Sequence, residues 1–152
     1  MQSWLIKATK ESCLIGVIAL VFTGVYTLIV GLPQRGVICE QDQQEPPFVC
    51  LDYAQSSWGE NIYWIDARSR SDWEKNGVSG SVLLTDDPKE DFMELFAQEA
   101  EGIFLAAQSG KKLLIYCNAK TCGSSKFVRQ QILDQGLHDE VYILYGGYKS
   151  FQ

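Results

Sequence analysis

Leu113-Leu114-Ile115-Tyr116-Cys117-Asn118-Ala119-Lys120-Thr121-Cys122-Gly123-Ser124-Ser125 is the stretch whose reading decides the fold. Its first four residues form an unbroken apolar run, the pattern of a parallel strand buried on both faces. A polar, glycine-containing loop follows from Cys117 to Gly123. Ser124 or Ser125 then opens a helix that carries Phe127, Val128, Ile132 and Leu133 and stops at Gly136. A strand, a tight polar loop and a helix in that order make one half of a strand–helix–strand unit. Its partner strand is Val141-Tyr142-Ile143-Leu144, with Gly146-Gly147 as a turn.

The same alternation extends upstream. Ile62-Tyr63-Trp64-Ile65 reads as a short buried strand. Ser71-Asp72-Trp73-Glu74-Lys75 reads as a helical turn with Ser71 as its cap, and Val82-Leu83-Leu84 as a further strand. A longer helix is expected with Asp87 as cap, Pro88 in first position and Glu90 completing a capping box. Phe92, Leu95, Phe96, Ile103, Phe104 and Ala107 fall on one face of it as core residues, and Gly110 ends it. Alternating strands and helices predict an α/β fold, a central parallel sheet with helices on both faces in three layers.

The 152-residue chain is not uniform. Residues 12–34 carry no charge and read as a transmembrane helix. At about 1.5 Å per residue this stretch would extend roughly 34 Å, against a hydrocarbon core of about 30 Å. A cleaved signal peptide is the rival reading. The apolar stretch is longer than a signal core, and Val30-Gly31-Leu32-Pro33 is a poor cleavage sequence, so an uncleaved signal anchor is expected. Lys7, Lys10 and the terminal amine precede the span, against one Glu11, with Arg35 just after it. That bias puts residues 1–11 in the cytoplasm and the remainder on the extracytoplasmic, periplasmic side of a single-pass protein. Residues 35–58, with Pro46-Pro47 and few apolar anchors, read as a linker, leaving 59–152 as the folded domain. Cys39 and Cys50 bracket its polar part; a disulfide closing that loop is expected, with two free thiols as the alternative.

Cys117 is the candidate catalytic residue. It follows a central strand and precedes a helix, the place where open α/β sheets bind ligands. Unpaired amides at a helix start favour a thiolate. From an ordinary pKa of about 8.5, a fall of one or two units makes the thiolate a major species at neutral pH. Asn118, Ala119, Lys120, Thr121, Cys122, Gly123 and Ser124 form the candidate substrate-binding loop, whose amides can cradle an anion. Asp66 and Arg68 are candidate supporting residues that brace the sheet end.

Other chemistries are poorly served. A net charge of −6 with no basic stripe excludes a nucleic-acid surface. The single histidine, His138, reads as a solvated turn residue, so no Cys-His or Ser-His-Asp arrangement is available. Ligands for a metal at suitable spacing are lacking, no phosphate loop is present, and no cofactor is expected. The acidic run Asp86-Asp87-Pro88-Lys89-Glu90-Asp91 reads as a helix start.

From about Trp58 to Phe151 the chain resembles a rhodanese-like domain. Ile65-Asp66-Ala67-Arg68 is similar to that family's strand ending in Asp-x-Arg. Trp73 and Val78-Ser79-Gly80-Ser81 resemble its Gly-His-Ile-Pro-Gly-Ala segment, with Gly77 in place of the His and Ser79 in place of the Pro. Ile115-Tyr116-Cys117 resembles the strand into the sulfur-carrying cysteine, and Val141 to Gly147 the closing strand and double glycine. The loop departs from the common six-residue form: it is longer, lacks a terminal Arg and holds a second cysteine. The related cell-cycle tyrosine phosphatases need an Arg six residues after the cysteine to clamp phosphate. Here that residue is Gly123, so phosphatase activity is not expected. The resemblance implies a sulfurtransferase that takes sulfane sulfur from thiosulfate or a persulfide onto Cys117 and passes it to a thiol or cyanide-like acceptor. Two alternatives stay open: a thiol redox protein using Cys117 and Cys122, and a non-catalytic rhodanese-like binding module.

Overall fold

In the computed structural model, residues 39–118 and 123–152 are described. They hold a parallel sheet of five strands: β1 (Phe48–Val49), β2 (Ile62–Asp66), β3 (Val82–Leu83), β4 (Lys112–Tyr116) and β5 (Val141–Leu144). Four α-helices connect them: α1 (Leu51–Trp58), α2 (Arg70–Asn76), α3 (Phe92–Gln108) and α4 (Gly123–Asp134). The spatial order is β1-β5-β4-β2-β3, and every pairing is parallel. The predicted span over 12–34 lies outside the described residues. Among the described residues no helix is long and apolar enough to cross a membrane.

β4 is the centre, and its alternate residues feed two separate cores. Leu113, Ile115 and Cys117 join Ile65, Leu83, Ile103, Val128 and Ile132 on the side covered by α3 and α4. Leu114 and Tyr116 join Val49, Ala54, Ile62 and Leu144 on the other, packed by Trp58, Trp64, Tyr148 and Phe151. Period-two alternation with apolar residues at every position requires cover on both sides. Hence three layers.

The segment expected as a linker over 35–58 is corrected in its second half. Phe48 and Val49 pair with Ile143 and Leu144 as an edge strand. Ile143 and Tyr145 donate their amides to Pro47 O and Val49 O at 2.8 and 2.9 Å. Leu51–Trp58 then forms a helix that buries Ala54. Cys39 and Cys50 are joined by a disulfide with a Cα–Cα separation of 5.7 Å, within the range that unstrained bridges span. The folded domain therefore begins well before residue 59.

Three local expectations also change. Asp91, rather than Asp87, caps α3, accepting from the amides of Met93 and Glu94. Asp87 makes its own turn, taking Lys89 N at Oδ1 and Glu90 N at its carbonyl. Ser69, rather than Ser71, caps α2 by accepting from Asp72 N. Phe104 is 48% exposed, and Ala106 takes the buried position on that face of α3.

His138 is no solvated turn residue. It is buried, with Nδ1 accepting from Glu140 N at 2.9 Å and Nε2 2.7 Å from Lys111 O. That pattern fits the neutral ring with its proton on Nε2. The histidine ties β5's entry to β4's entry, at the end of β4 opposite Cys117.

Gly77, which stands where the related pattern has His, closes α2. A Cβ there would lie 2.7 Å from Trp73 O and 2.8 Å from Trp73 Cδ1. The indole cannot yield easily, because Trp73 Nε1 is bonded to the carbonyl and hydroxyl of Ser81. Gly77→Ala should therefore cost ~1–3 kcal/mol through overpacking. Urea denaturation checks this, and an unchanged midpoint would show that Trp73 moves freely.

Candidate functional site

β2, β3 and β4 are neighbours in the sheet and end on the same side. Their following loops therefore converge, although they are far apart in sequence. Ala67, Arg68 and Ser69 come from the loop after β2, Thr85 to Pro88 from the loop after β3, and Cys117 and Asn118 from the loop after β4. With Ser124 from the first turn of α4 they line an open pocket of about 380 Å³. This is the crevice beyond the carboxyl ends of parallel strands where α/β sheets place ligands.

Cys117 is 1% exposed and sits at the floor of that pocket. Its carbonyl accepts from Tyr148 N at 2.6 Å, fixing the strand end to the turn after β5. Its sulfur is engaged in a disulfide whose partner lies outside the described residues. Of the predicted loop, Asn118, Gly123 and Ser124 are described. Asn118 and Ser124 line the pocket, and Gly123 is the first residue of α4. Ala119, Lys120, Thr121 and Cys122 lie outside the described residues.

Asp66 and Arg68 form the bracket behind the pocket. Asp66 is fully buried and Arg68 is 4% exposed. Arg68 gives Nε to both carboxylate oxygens and Nη2 to Oδ2 at 2.7 Å, while its amide donates to Oδ1 at 2.9 Å. The remaining guanidinium groups reach Asn76 Oδ1 and Asp72 O, and the cation lies 3.9 Å from the centroid of the Tyr148 ring. Burial works against the charged form, yet the Asp66 bonds outweigh it and raise the Arg68 pKa. One ion pair thus locks the loop after β2 to α2 and to the Tyr148 turn that holds Cys117.

Tyr116, just before Cys117, is fully buried. Its hydroxyl accepts from Val78 N at 2.9 Å and lies 3.1 Å from Ser81 Oγ. Burial pushes its pKa up to about 12, so the phenol stays neutral and braces the Val78–Ser81 segment. Asn118 donates to Asp72 Oδ2 at 3.2 Å. That bond, with a second from Ser69, holds the Asp72 carboxyl below its ordinary range.

Several pocket residues escaped the sequence reading. Ser69 and Thr85 carry no local signal of a site in the sequence, and Asp86, Asp87 and Pro88 read there as part of a helix start. The available signal was position: they follow strands whose neighbours in a parallel sheet end at Cys117. Tyr148 carries no local signal either, since its role depends on a turn stacking over Arg68.

No curated protein matches the chain. Among solved structures, the N-terminal domain of a Clostridium difficile 630 protein described as ATP/GTP binding is 16% identical, with a TM-score of 0.44, covering 68% of this chain and 95% of that one. A Rhodopseudomonas palustris CGA009 protein of unknown function, described as a possible tyrosine phosphatase, is 22% identical with a TM-score of 0.39, covering 62% of this chain and 68% of that one. Likeness at that level carries no functional argument. The family profile of the Rhodanese-like domain matches residues 52–152, from within α1 to the end of the chain, and the chain belongs to that family.

Proposed function

We propose that the protein is a sulfurtransferase in which Cys117 carries sulfane sulfur as a persulfide. The observation that carries this reading is the position of Cys117 at the floor of a pocket built from three strand ends and the first turn of α4. Such a position surrounds a sulfur anion with peptide dipoles and the positive end of a helix. Because Cys117 is held in a disulfide, a thiol reductant must first open it.

The thiolate then attacks the outer sulfur of thiosulfate or of a persulfide. A Cys117–sulfur bond forms, the donor's S–S bond breaks, and its electron pair leaves with sulfite or with the donor thiolate. A thiophilic acceptor, cyanide or a thiolate, attacks the outer sulfur next and returns Cys117 as thiolate. The positive end of α4, whose first turn lines the pocket, stabilises the charge that passes through the site. No cofactor enters this scheme. Reduced protein supplied with thiosulfate or an alkyl persulfide should convert cyanide to thiocyanate catalytically. Stoichiometric or absent conversion with every donor would overturn the proposal.

A second reading rests on the disulfide itself. A cysteine oxidised at the pocket floor suits thiol–disulfide exchange, and Cys122, five residues on in the sequence, is the candidate partner. In that case two electrons from a dithiol would reduce the bond and release both cysteines as thiols. Exchange with dithiols in the absence of thiocyanate formation would favour this reading over sulfur transfer.

We also infer that residues 12–34 anchor the chain as a single-pass membrane protein with the domain on the extracytoplasmic side. The uncharged stretch and its flanking cations support this. So do the bridged cysteines, since disulfides persist in oxidising compartments.

A further inference from the structure

Among the described residues, one buried polar side chain is left over. Asp66, Arg68, Ser81, Thr85 and His138 are buried and bonded. Ser125 is fully buried as well, yet its hydroxyl finds no hydrogen-bond partner among the described residues. A hydroxyl taken out of water without a partner is costly, and folds rarely keep one without a use. Its place points to the group it serves. Ser125, Val128 and Ile132 are the buried residues of α4, spaced three and four apart on one stripe. Val128 and Ile132 enter the core that also holds Ile115 and Cys117. Since α4 links the neighbouring parallel strands β4 and β5, it runs back from their carboxyl ends to their amino ends. From Val128, Ser125 lies one turn nearer the carboxyl ends, ~4.5 Å along the helix. From Ile115, Cys117 lies two residues in the same direction, ~6.6 Å along the strand. Ser125 and Cys117 thus share one end of one core, where the first turn of this 12-residue helix also directs its dipole.

We propose that the Ser125 hydroxyl is the hydrogen-bond donor to the sulfur anion of Cys117, thiolate or persulfide, and takes up this bond when the Cys117 disulfide opens. A disulfide sulfur is a weak acceptor, and the hydroxyl is unbonded while that bridge is in place. When a dithiol reduces the bridge, the dithiol's two sulfurs join as a disulfide. Cys117 and its partner take the two electrons, and Cys117 gives up its proton to water as it ionises. The anion is a strong acceptor, and a charge-assisted bond then satisfies the hydroxyl. Ser125 therefore favours the open, ionised site over the bridged one. It reaches the sulfur from the core and leaves the pocket side to the donor. The persulfide part of this assignment rests on the sulfur-transfer reading; the thiolate part does not.

The test compares the native full chain with Ser125→Ala and Ser125→Thr. Iodoacetamide alkylation of the reduced chains is followed against pH by mass spectrometry of the Cys117 peptide. Below the midpoint of the profile, Ser125→Ala should slow alkylation ~5–10-fold, because the thiolate loses a charge-assisted bond. Ser125→Thr keeps a hydroxyl and should stay within ~2-fold of native. Equilibration with dithiothreitol should show the Cys117 disulfide ~5-fold harder to reduce in Ser125→Ala. Thermal unfolding of the oxidised chains separates a merely structural role. Removing an unbonded hydroxyl should leave the melting temperature unchanged or raise it. An unmoved pH profile in Ser125→Ala, or an equal shift in both variants, would overturn the proposal while leaving sulfur transfer intact. So would an oxidised Ser125→Ala chain that melts well below native, since the hydroxyl would then be bonded within the fold. A shifted profile in Ser125→Ala, with no thiocyanate from the native chain and any donor, would instead remove the sulfur-transfer reading while confirming the hydroxyl as the thiolate's donor.

Discussion

Cys117→Ser should lower thiocyanate formation at least ~10³-fold, to the level of the uncatalysed reaction, when measured as kcat/KM with saturating cyanide. Serine keeps the backbone at this position, so Tyr148 N still finds its carbonyl acceptor. What is lost is the atom that accepts sulfur, because a hydroxyl forms no persulfide. Among the described residues that line the pocket, no other carries a thiol. His138, the only histidine, lies at the far end of β4 beside Lys111. The side chain is 1% exposed, so a serine there buries a hydroxyl at a cost of ~1–3 kcal/mol if it finds no partner. A melting curve must accompany the assay, and Cys117→Ala avoids that penalty while predicting the same loss. Turnover near the native level in a folded Cys117 variant would exclude this residue as the nucleophile.

The second large effect falls on stability. Arg68→Ala should destabilise the domain by ~3–5 kcal/mol in urea titrations, because it strands the Asp66 carboxylate in the interior. Asp66 is fully buried, and Arg68 supplies four of the donor contacts it receives; one of these comes from the Arg68 backbone and survives. Arg68→Lys should recover only part of the loss, since an ammonium cannot reproduce a two-pronged planar contact. The double change Asp66→Ala with Arg68→Ala should cost less than the two single changes added together, as expected for partners in one network. Activity should fall as well. Arg68 stacks on Tyr148, and Tyr148 N holds the Cys117 carbonyl, so loosening the bracket loosens the pocket floor. An Arg68→Ala protein of native stability would show that the pair is dispensable to the fold.

The parts of this fold visible in the sequence are those with strong local signals. Leu113 to Tyr116 had to be a doubly covered strand, and alternate residues of it enter two cores. Cys117 followed from that strand, and Asp66 with Arg68 from the end of the next. What stayed hidden depends on distant partners. β1 has two residues and no periodicity; it exists because Pro47 O and Val49 O meet the amides of β5. Asp87-Pro88 with Glu90 carries every local mark of a helix start, and so does Asp91. The chain uses the first for a turn that reaches the pocket and the second for the cap. Nothing near His138 in the sequence announces that Lys111 and Glu140 N will close around its ring. The pocket lining is of the same kind, since Asp86 and Asp87 join Cys117 around one pocket only when β2, β3 and β4 align.

The central claim is that sulfur rests on Cys117, and mass is its most direct measure. The reduced chain should be exposed to an alkyl persulfide or to thiosulfate, freed of excess donor, and digested without reductant. The peptide containing Cys117 should gain the mass of one sulfur atom, and cyanide should remove it with release of thiocyanate. A Cys117 peptide that stays unmodified by either donor, while its thiol remains open to iodoacetamide, would contradict the account.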